Sequence, residues 1–363
     1  MADRKNLEAA HPMAKNSLRA VGAGARAATM ADVASRAGVS TATVSRVLSE
    51  PDLVAASTQK RVTRIIEEIG YAPNLTARSL RVQSTKMVLA LAPAMVSGFF
   101  APILNAIEDE MATAGYGVII GDTRDQKERE VHYARLIQSR QVDGVILMTG
   151  RLPRCSDGGS VETALPVVLV CNDVRGAGLP FVGVDNRKAA SVMTGYLISM
   201  GHKRIAHITG PLDHVEDARE RKRGFLNTMK SAGLEVPQHF VWEGNYYPAS
   251  GSEAAKRYLA LSDRPTAVFA ANDATALAFV KDLGLAGVSV PKDVSVVGFD
   301  DIENLAFFTP AITTMRQPRA ELGRLAAQDL LRRLAGDFEE SKSTRVRLDC
   351  EIVIRGSVRS YSA

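Results

Sequence analysis

Cysteine is scarce in this 363-residue chain: Cys155, Cys171 and Cys350 are odd in number, widely spaced and form no C-x-x-C pair. That excludes a disulfide-stapled secreted scaffold and a zinc ribbon, and it points to a reducing compartment, the cytosol. No apolar run approaches the roughly 18–20 residues of a membrane span. The first 27 residues hold no apolar core of the kind a signal peptide needs, so no membrane partner is expected. The six histidines (His11, His132, His202, His207, His214 and His239) form neither an H-x-x-x-H nor an H-E-x-x-H spacing, so no metal site follows. A Walker phosphate loop and a G-x-S-x-G elbow are also missing. "VGAGARA" at 21–27 matches G-x-G-x-x-A by letter, but no strand precedes it and no βαβ unit surrounds it. It reads as part of a flexible arm, 1–27. With no nucleophile, no acid–base pair in a supporting motif and no cofactor fingerprint, a sugar-handling enzyme with a fused head is the weaker reading. No cofactor is expected.

The residues that are present describe a soluble chain long enough for two or three domains. Its charge is uneven. Through Lys86 there are 13 lysines and arginines against 7 acids, while the whole chain is only +5. A basic head on a near-neutral body suits a polyanion.

From Met30 the pattern sharpens: "TMADVASRAGVSTATVSRVLSEP". Met30, Val33 and Ala34 mark one helix face, and Gly38 can take the left-handed conformation that stops a helix. Ser40 stands as N-cap of a second helix with Val44, Val47 and Leu48 inward, closed by Pro51. Two short helices joined by a tight glycine turn are a helix-turn-helix, whose second helix enters the major groove. Its outward face carries Ser40, Thr41, Thr43, Ser45 and Arg46. Short hydroxyls suit phosphates and base edges, and an arginine can fork onto guanine. A third helix, Ser57 to Ile69, completes an all-α head with Val62, Ile65, Ile66 and Ile69. After Pro73, "NLTARSLR" reads as about two turns of helix with Asn74 as N-cap. That is too short to be stable alone, since isolated helices need about 12–15 residues.

From Lys86, short β-rich runs alternate with amphipathic helices, which means parallel sheets covered by helices. About ten strands suit two sheets better than one. In such sheets ligands sit beyond the carboxyl ends of the strands. Those ends carry Cys171-Asn172-Asp173, Asn272-Asp273 and Asp300-Asp301, with Phe99-Phe100 shortly after the first strand. Converging carboxylates and amides beside aromatic planes can hold a polyhydroxyl ring. Asp273 and Asp301 read more readily as helix N-caps, and Phe100 equally as core.

"ADVASRAGVSTATVSRVL" followed by "GYAPNLTARSLR" resembles the DNA-binding head and hinge of the lactose-repressor family of bacterial transcription regulators. The likeness continues to about Arg359. It implies an α/β chain: a helix-turn-helix head at 28–72, a hinge helix and linker at 73–85, and a body at 86–359. The body would be two Rossmann-like lobes of the periplasmic-binding-protein type. Lobe 1 is expected over 87–186 plus 316–344 and lobe 2 over 187–314 plus 345–359, with crossovers near 184–188, 312–318 and 343–348.

Further implications follow from the same resemblance. Thr41, Ala42 and Arg46 read each half of a palindromic operator. A homodimer pairs its hinge helices in the minor groove, where Leu80 wedges into the central step and Arg78 and Arg81 meet phosphates. A small effector contacts Phe99 and Phe100 in the first lobe and Asp217, Arg221, Tyr246, Asn272 and Asp300 in the second. Cys171 stands where the lactose and purine repressors have an aspartate, and Asp217 replaces a hydroxyl residue, which argues against either ligand. Segments such as "LPFVGVDN" and "DCEIVIRGSVR" look closest to the cytidine-repressor branch, implying a nucleoside or ribose-like effector. The competing reading is a small-molecule sensor of the same fold that does not bind an operator.

Overall fold

The computed structural model describes residues 28–71, 84–95, 98–161, 164–174, 176–336 and 344–361. The chain divides after Arg81 into a small head and a large body.

In the head, α1 (Met30–Ala37) starts at a capping box: Thr29 accepts from the Asp32 amide while the Asp32 carboxylate accepts from the Thr29 amide. It stops at Gly38, in the left-handed region at φ 62°. Helix α2 (Thr41–Ser49) is capped by Ser40, whose Oγ accepts from the Thr43 amide at 3.1 Å. A single 3₁₀ turn at Pro51–Leu53 leads to α3 (Ala56–Ile69). Val33, Ala34, Ala37, Val44, Val47, Val62, Ile65 and Tyr71 form the core, with Leu48, Ile66 and Ile69 half-buried around it. So few apolar side chains, at about 1.5–3 kcal/mol for each large one, leave the head dependent on its caps.

The body contains twelve strands and seven α-helices among the described residues. Its first sheet is formed by β1 (Met87–Ala92), β2 (Gly117–Asp122), β3 (Gly144–Leu147), β4 (Val167–Val170), β5 (Phe181–Val184) and β11 (Arg345–Leu348). The order is β11-β5-β4-β3-β1-β2, all parallel, with Met87 opposite Gly117 and Val88 opposite Gly144. The inner strands are buried on both faces, as their unbroken apolar runs require. Helices α4 (Ala101–Thr113), α5 (Lys127–Gln138) and α10 (Arg319–Leu334) belong with this lobe.

The second lobe has β6 (Ile205–Ile208), β7 (Val241–Trp242), β8 (Ala267–Ala270) and β9 (Ser295–Val297) in the order β7-β6-β8-β9. Its helices are α6 (Asn186–Ser199), α7 (Glu216–Ser231), α8 (Pro248–Ala260) and α9 (Asp273–Leu285). A separate antiparallel pair, β10 (Thr314–Arg316) with β12 (Glu351–Val353), packs Met315 and Ile352 onto it.

One boundary differs from the sequence reading. Arg345–Leu348 was expected in the second lobe, but Val346 pairs with Val182 and the strand closes the edge of the first sheet. The third crossover therefore follows Leu348 and does not span 343–348. An edge strand of alternating pattern, "RVRL", fits either sheet by composition, and only its partner decides.

Three helix pairs meet at a glycine. A Cβ on Gly224 of α7 would lie 2.3 Å from the Arg187 carbonyl of α6, on Gly251 of α8 2.2 Å from Thr275 of α9, and on Gly323 of α10 2.3 Å from Ile103 of α4. These contacts are backbone, so the helices themselves must part to admit a methyl. Gly323→Ala gains about 1 kcal/mol of helix propensity, whereas overpacking costs about 1–3 kcal/mol or more. The expected outcome is a lower melting temperature, by several degrees in thermal denaturation. An unchanged or raised value would show slack at this crossing.

Candidate functional site

The sequence-predicted DNA contacts of the head lie on one helix and its cap. Thr41, Ala42 and Arg46 are exposed on α2 and Ser40 caps it, while Thr43 and Ser45 are half-buried. Ser40 Oγ also lies 2.9 Å from Thr43 Oγ1, so those two hydroxyls order the first turn. Asn74, Arg78, Leu80 and Arg81 lie outside the described residues.

In the body, a cleft of about 930 Å3 opens at the carboxyl ends of the strands. All eight sequence-predicted effector residues line it. Phe99 and Phe100 follow β1 as an edge-to-face pair, centroids 5.0 Å apart. Phe100 is core and wall at once, since it also packs on Ile103 and its neighbours in the first lobe. Cys171 follows β4 in the left-handed region, at φ 64°. Its thiol is buried, and that burial, with Asp217 and Asp300 nearby, keeps it protonated.

Arg221 organises the second lobe's side. It lies one turn after Asp217 on α7, so the two share a helix face. Its Nε donates to Asn186 Oδ1 at 2.7 Å and Nη1 donates to the Ala271 carbonyl. The guanidinium lies 3.7 Å from the Phe299 ring centroid and 3.9 Å from Asp300 Oδ1. The pair is buried, 5 % and 6 % exposed. Burial pushes the Asp300 carboxyl up to about 6, against Arg221 and against the bond it accepts from Gln317 at 2.7 Å. Burial likewise pushes Asp217 up to about 7, with Arg221 and Asn186 opposing.

Tyr246 precedes α8, its ring packed where Gly210 leaves room: a Cβ there would lie 2.2 Å from Cζ. The Tyr246 hydroxyl is buried without a hydrogen-bond partner among the described residues. Asn272 caps α9, Oδ1 accepting from the Thr275 amide at 3.0 Å and Nδ2 donating to the Tyr246 carbonyl at 2.9 Å. It thereby fixes the Tyr246 loop. Asp273 and Asp301 are not the caps the sequence reading allowed. Asp273 is one residue inside α9 and accepts from Thr314 Oγ1 and the Ile302 amide, while Asp301 pairs with Arg316 and Arg355.

Cys171, Tyr246 and Asp300 all have positive φ, 64°, 67° and 117°. Such backbone costs about 1–3 kcal/mol per residue and concentrates where side chains must be aimed at a ligand. Sequence reasoning missed Asn186, Gly210 and Gln317, which hold Arg221, Tyr246 and Asp300 in place. Asn186 stands at the start of a predicted helix, a weak hint; for Gln317 nothing local exists.

One family profile falls in the head and another in the later part of the body. The profile "Bacterial regulatory proteins, lacI family" matches residues 29–74, and that of the periplasmic binding protein-like domain matches 194–358. The HTH-type transcriptional repressor CytR of Escherichia coli (strain K12) is 37 % identical over 334 residues, 92 % of this chain and 97 % of that one. The repressor PurR of Salmonella newport (strain SL254) is 36 % identical over 339 residues, 92 % and 99 % of the two chains. Among solved structures, the lac repressor dimer bound to operator and the anti-inducer ONPF aligns with a TM-score of 0.80 at 25 % identity. That match covers 92 % of this chain and 100 % of the other. The transcriptional regulator CelR–cellobiose complex aligns with a TM-score of 0.69 at 29 % identity, over 91 % and 99 %.

Proposed function

The chain belongs to the lacI family of bacterial regulatory proteins, and from that premise we propose that a nucleoside or ribose-like effector controls it. It is a sequence-specific DNA-binding transcriptional repressor, a homodimer on a palindromic operator, regulated by a small molecule held between its two lobes. In this reading it is not an enzyme and works in the cytoplasm. Among the described residues no helix is long and apolar enough to cross a membrane.

The observation that carries the effector reading is the buried Arg221 guanidinium set among Asp217, Asp300 and the Tyr246 ring. A hydroxyl both donates and accepts, so a vicinal pair can accept from Arg221 while donating to a carboxylate. Phe99 and Phe100 offer the opposite wall. Thr41, Ala42 and Arg46 read each half-site, with Ser40, Thr43 and Ser45 on or near the backbone. The hinge supplies Asn74, Arg78, Leu80 and Arg81. Effector binding alters the spacing of the paired hinges, a coupling of typically ~1–3 kcal/mol.

Two measurements test this. In a thermal-shift screen of nucleosides, pentoses, hexoses and sugar acids, a nucleoside or ribose raises the melting temperature. A ligand at 100 times its Kd adds about 2.7 kcal/mol, which is about 5 °C at roughly 2 °C per kcal/mol, the low end for large domains. A response to hexoses alone overturns the effector class. Separately, Leu80→Ala lowers operator affinity about 100-fold in fluorescence anisotropy, as loss of a minor-groove wedge and its bend requires. Affinity for a scrambled duplex stays within threefold. Equal losses on both duplexes would remove the wedge role.

A further inference from the structure

The cleft holds more carboxylate than cation. Its described lining includes Asp125, Asp217, Asp300 and Glu303 against Arg221 and Lys281. The outer acids are neutralised by local partners, Asp125 by Arg151 at 3.2 Å and Glu303 by Arg319 at 2.9 Å. Arg319 is engaged further by the carbonyls of Gly98 and Asp301. The inner acids, Asp217 and Asp300, share the Arg221 guanidinium, whose Nε and Nη1 already donate to Asn186 and Ala271, and Asp300 alone also feels the engaged Arg319.

The amino end of α7 sharpens the point. Free N–H groups and the helix dipole make such an end the natural seat for a phosphate. Here the first turn already carries two acids of the chain itself, Glu216 and Asp217, and Asp217 is 7 % exposed at the cleft wall. A ligand anion arriving at that end meets the chain's own acids in the first turn.

We infer that the effector is uncharged, a free nucleoside or free sugar and not its phosphate or acid, and that Asp217 enforces this choice. A neutral hydroxyl donates to Asp217 or Asp300 and accepts from Arg221. A phosphate at the same spot faces both of these acids in low-dielectric protein, with Arg221 and, near Asp300, the already engaged Arg319 to offset them. The inference rests on the cleft being the effector site.

The test is isothermal titration calorimetry on the full-length protein with matched pairs: cytidine and cytidine 5′-monophosphate, adenosine and adenosine 5′-monophosphate, ribose and ribose 5-phosphate. The neutral member of the binding pair is expected to bind at least 100-fold tighter. In Asp217→Asn, and in Asp217→Ser should the first fold poorly, the ratio falls at least tenfold because the phosphate gains affinity. A phosphorylated ligand that binds as well as its neutral partner overturns the inference. An unchanged ratio in both variants removes Asp217 from it. Binding confined to the ribose pair, with the neutral member preferred, refutes the nucleoside and sustains the charge selection. Heat from none of the pairs refutes the nucleoside or ribose effector class, and this inference about it fails with it.

Discussion

Arg221→Met abolishes the effector response while the protein still binds its operator. The guanidinium is a buried cation of the cleft, and hydrogen bonds made by charged groups contribute roughly 1.5–3 kcal/mol each. Losing two of them to a ligand weakens effector binding about 100-fold or more. The fold should survive the substitution. With Arg221 gone, Asp217 and Asp300 lose the positive charge that opposes their burial, so both rise further above the usual carboxylate range and hold their protons. Neutral acids are far cheaper to bury than unpaired charges. The measurement is operator affinity by anisotropy with and without effector. The wild type shifts by about 5–150-fold, and the variant shifts by less than twofold. Arg221→Lys keeps a charge but not the fork that engages Asn186 and Ala271 together, and it should recover only a small part of the response. A variant that responds like the wild type would remove Arg221 from the effector site.

Asp217→Asn should stabilise the unliganded body at neutral and alkaline pH, an unusual result for a buried polar residue. The carboxyl's ordinary value of 3.8 is raised to about 7 in the folded chain, chiefly by burial. Its favourable contribution is therefore complete below pH 3.8 and is lost as pH climbs through about 7. Asparagine does not titrate, so the variant's advantage grows across that window and levels off above it. At about 1.4 kcal/mol per pH unit, the plateau is about 4 kcal/mol at most. Urea denaturation of the two proteins at pH 5 and pH 8 decides it. An advantage that is equal at both values, or larger at pH 5, contradicts the assignment. The acid that selects the ligand is thus one the fold keeps at a loss of stability, a common condition of binding sites.

The head was legible because its signals are local. Ser40 and Gly38 act within a few residues of where they stand, so cap and stop could be read from the letters beside them. The inner strands were legible for a similar reason, since "VILM" and "VVLV" leave no polar face to expose. The cleft residues at strand ends followed from the parallel topology, and Asp217, Arg221 and Tyr246 came only with the family resemblance. What stayed hidden was pairing at a distance. Asn186 meets Arg221 across 35 positions and Gln317 meets Asp300 across 17, and no periodicity reports such a bond. The cap of α9 was placed one residue off for a smaller reason. Asn272 and Asp273 are both good acceptors, and only backbone angles show that Asn272 is the extended residue that caps.

The glycine crossings bear on how the body moves. Helices that touch backbone to backbone leave no layer of long side chains to shear, so each lobe shifts as one plate. Among the described residues, the lobes are joined by Asp185, Gln317-Pro318 and Asp349-Cys350, the residues left over between the last element of one lobe and the first of the other. Asn186 and Gln317, which grip Arg221 and Asp300, sit on or beside those threads. A ligand that touches Arg221 and Asp300 therefore sits beside the segments that join the two lobes.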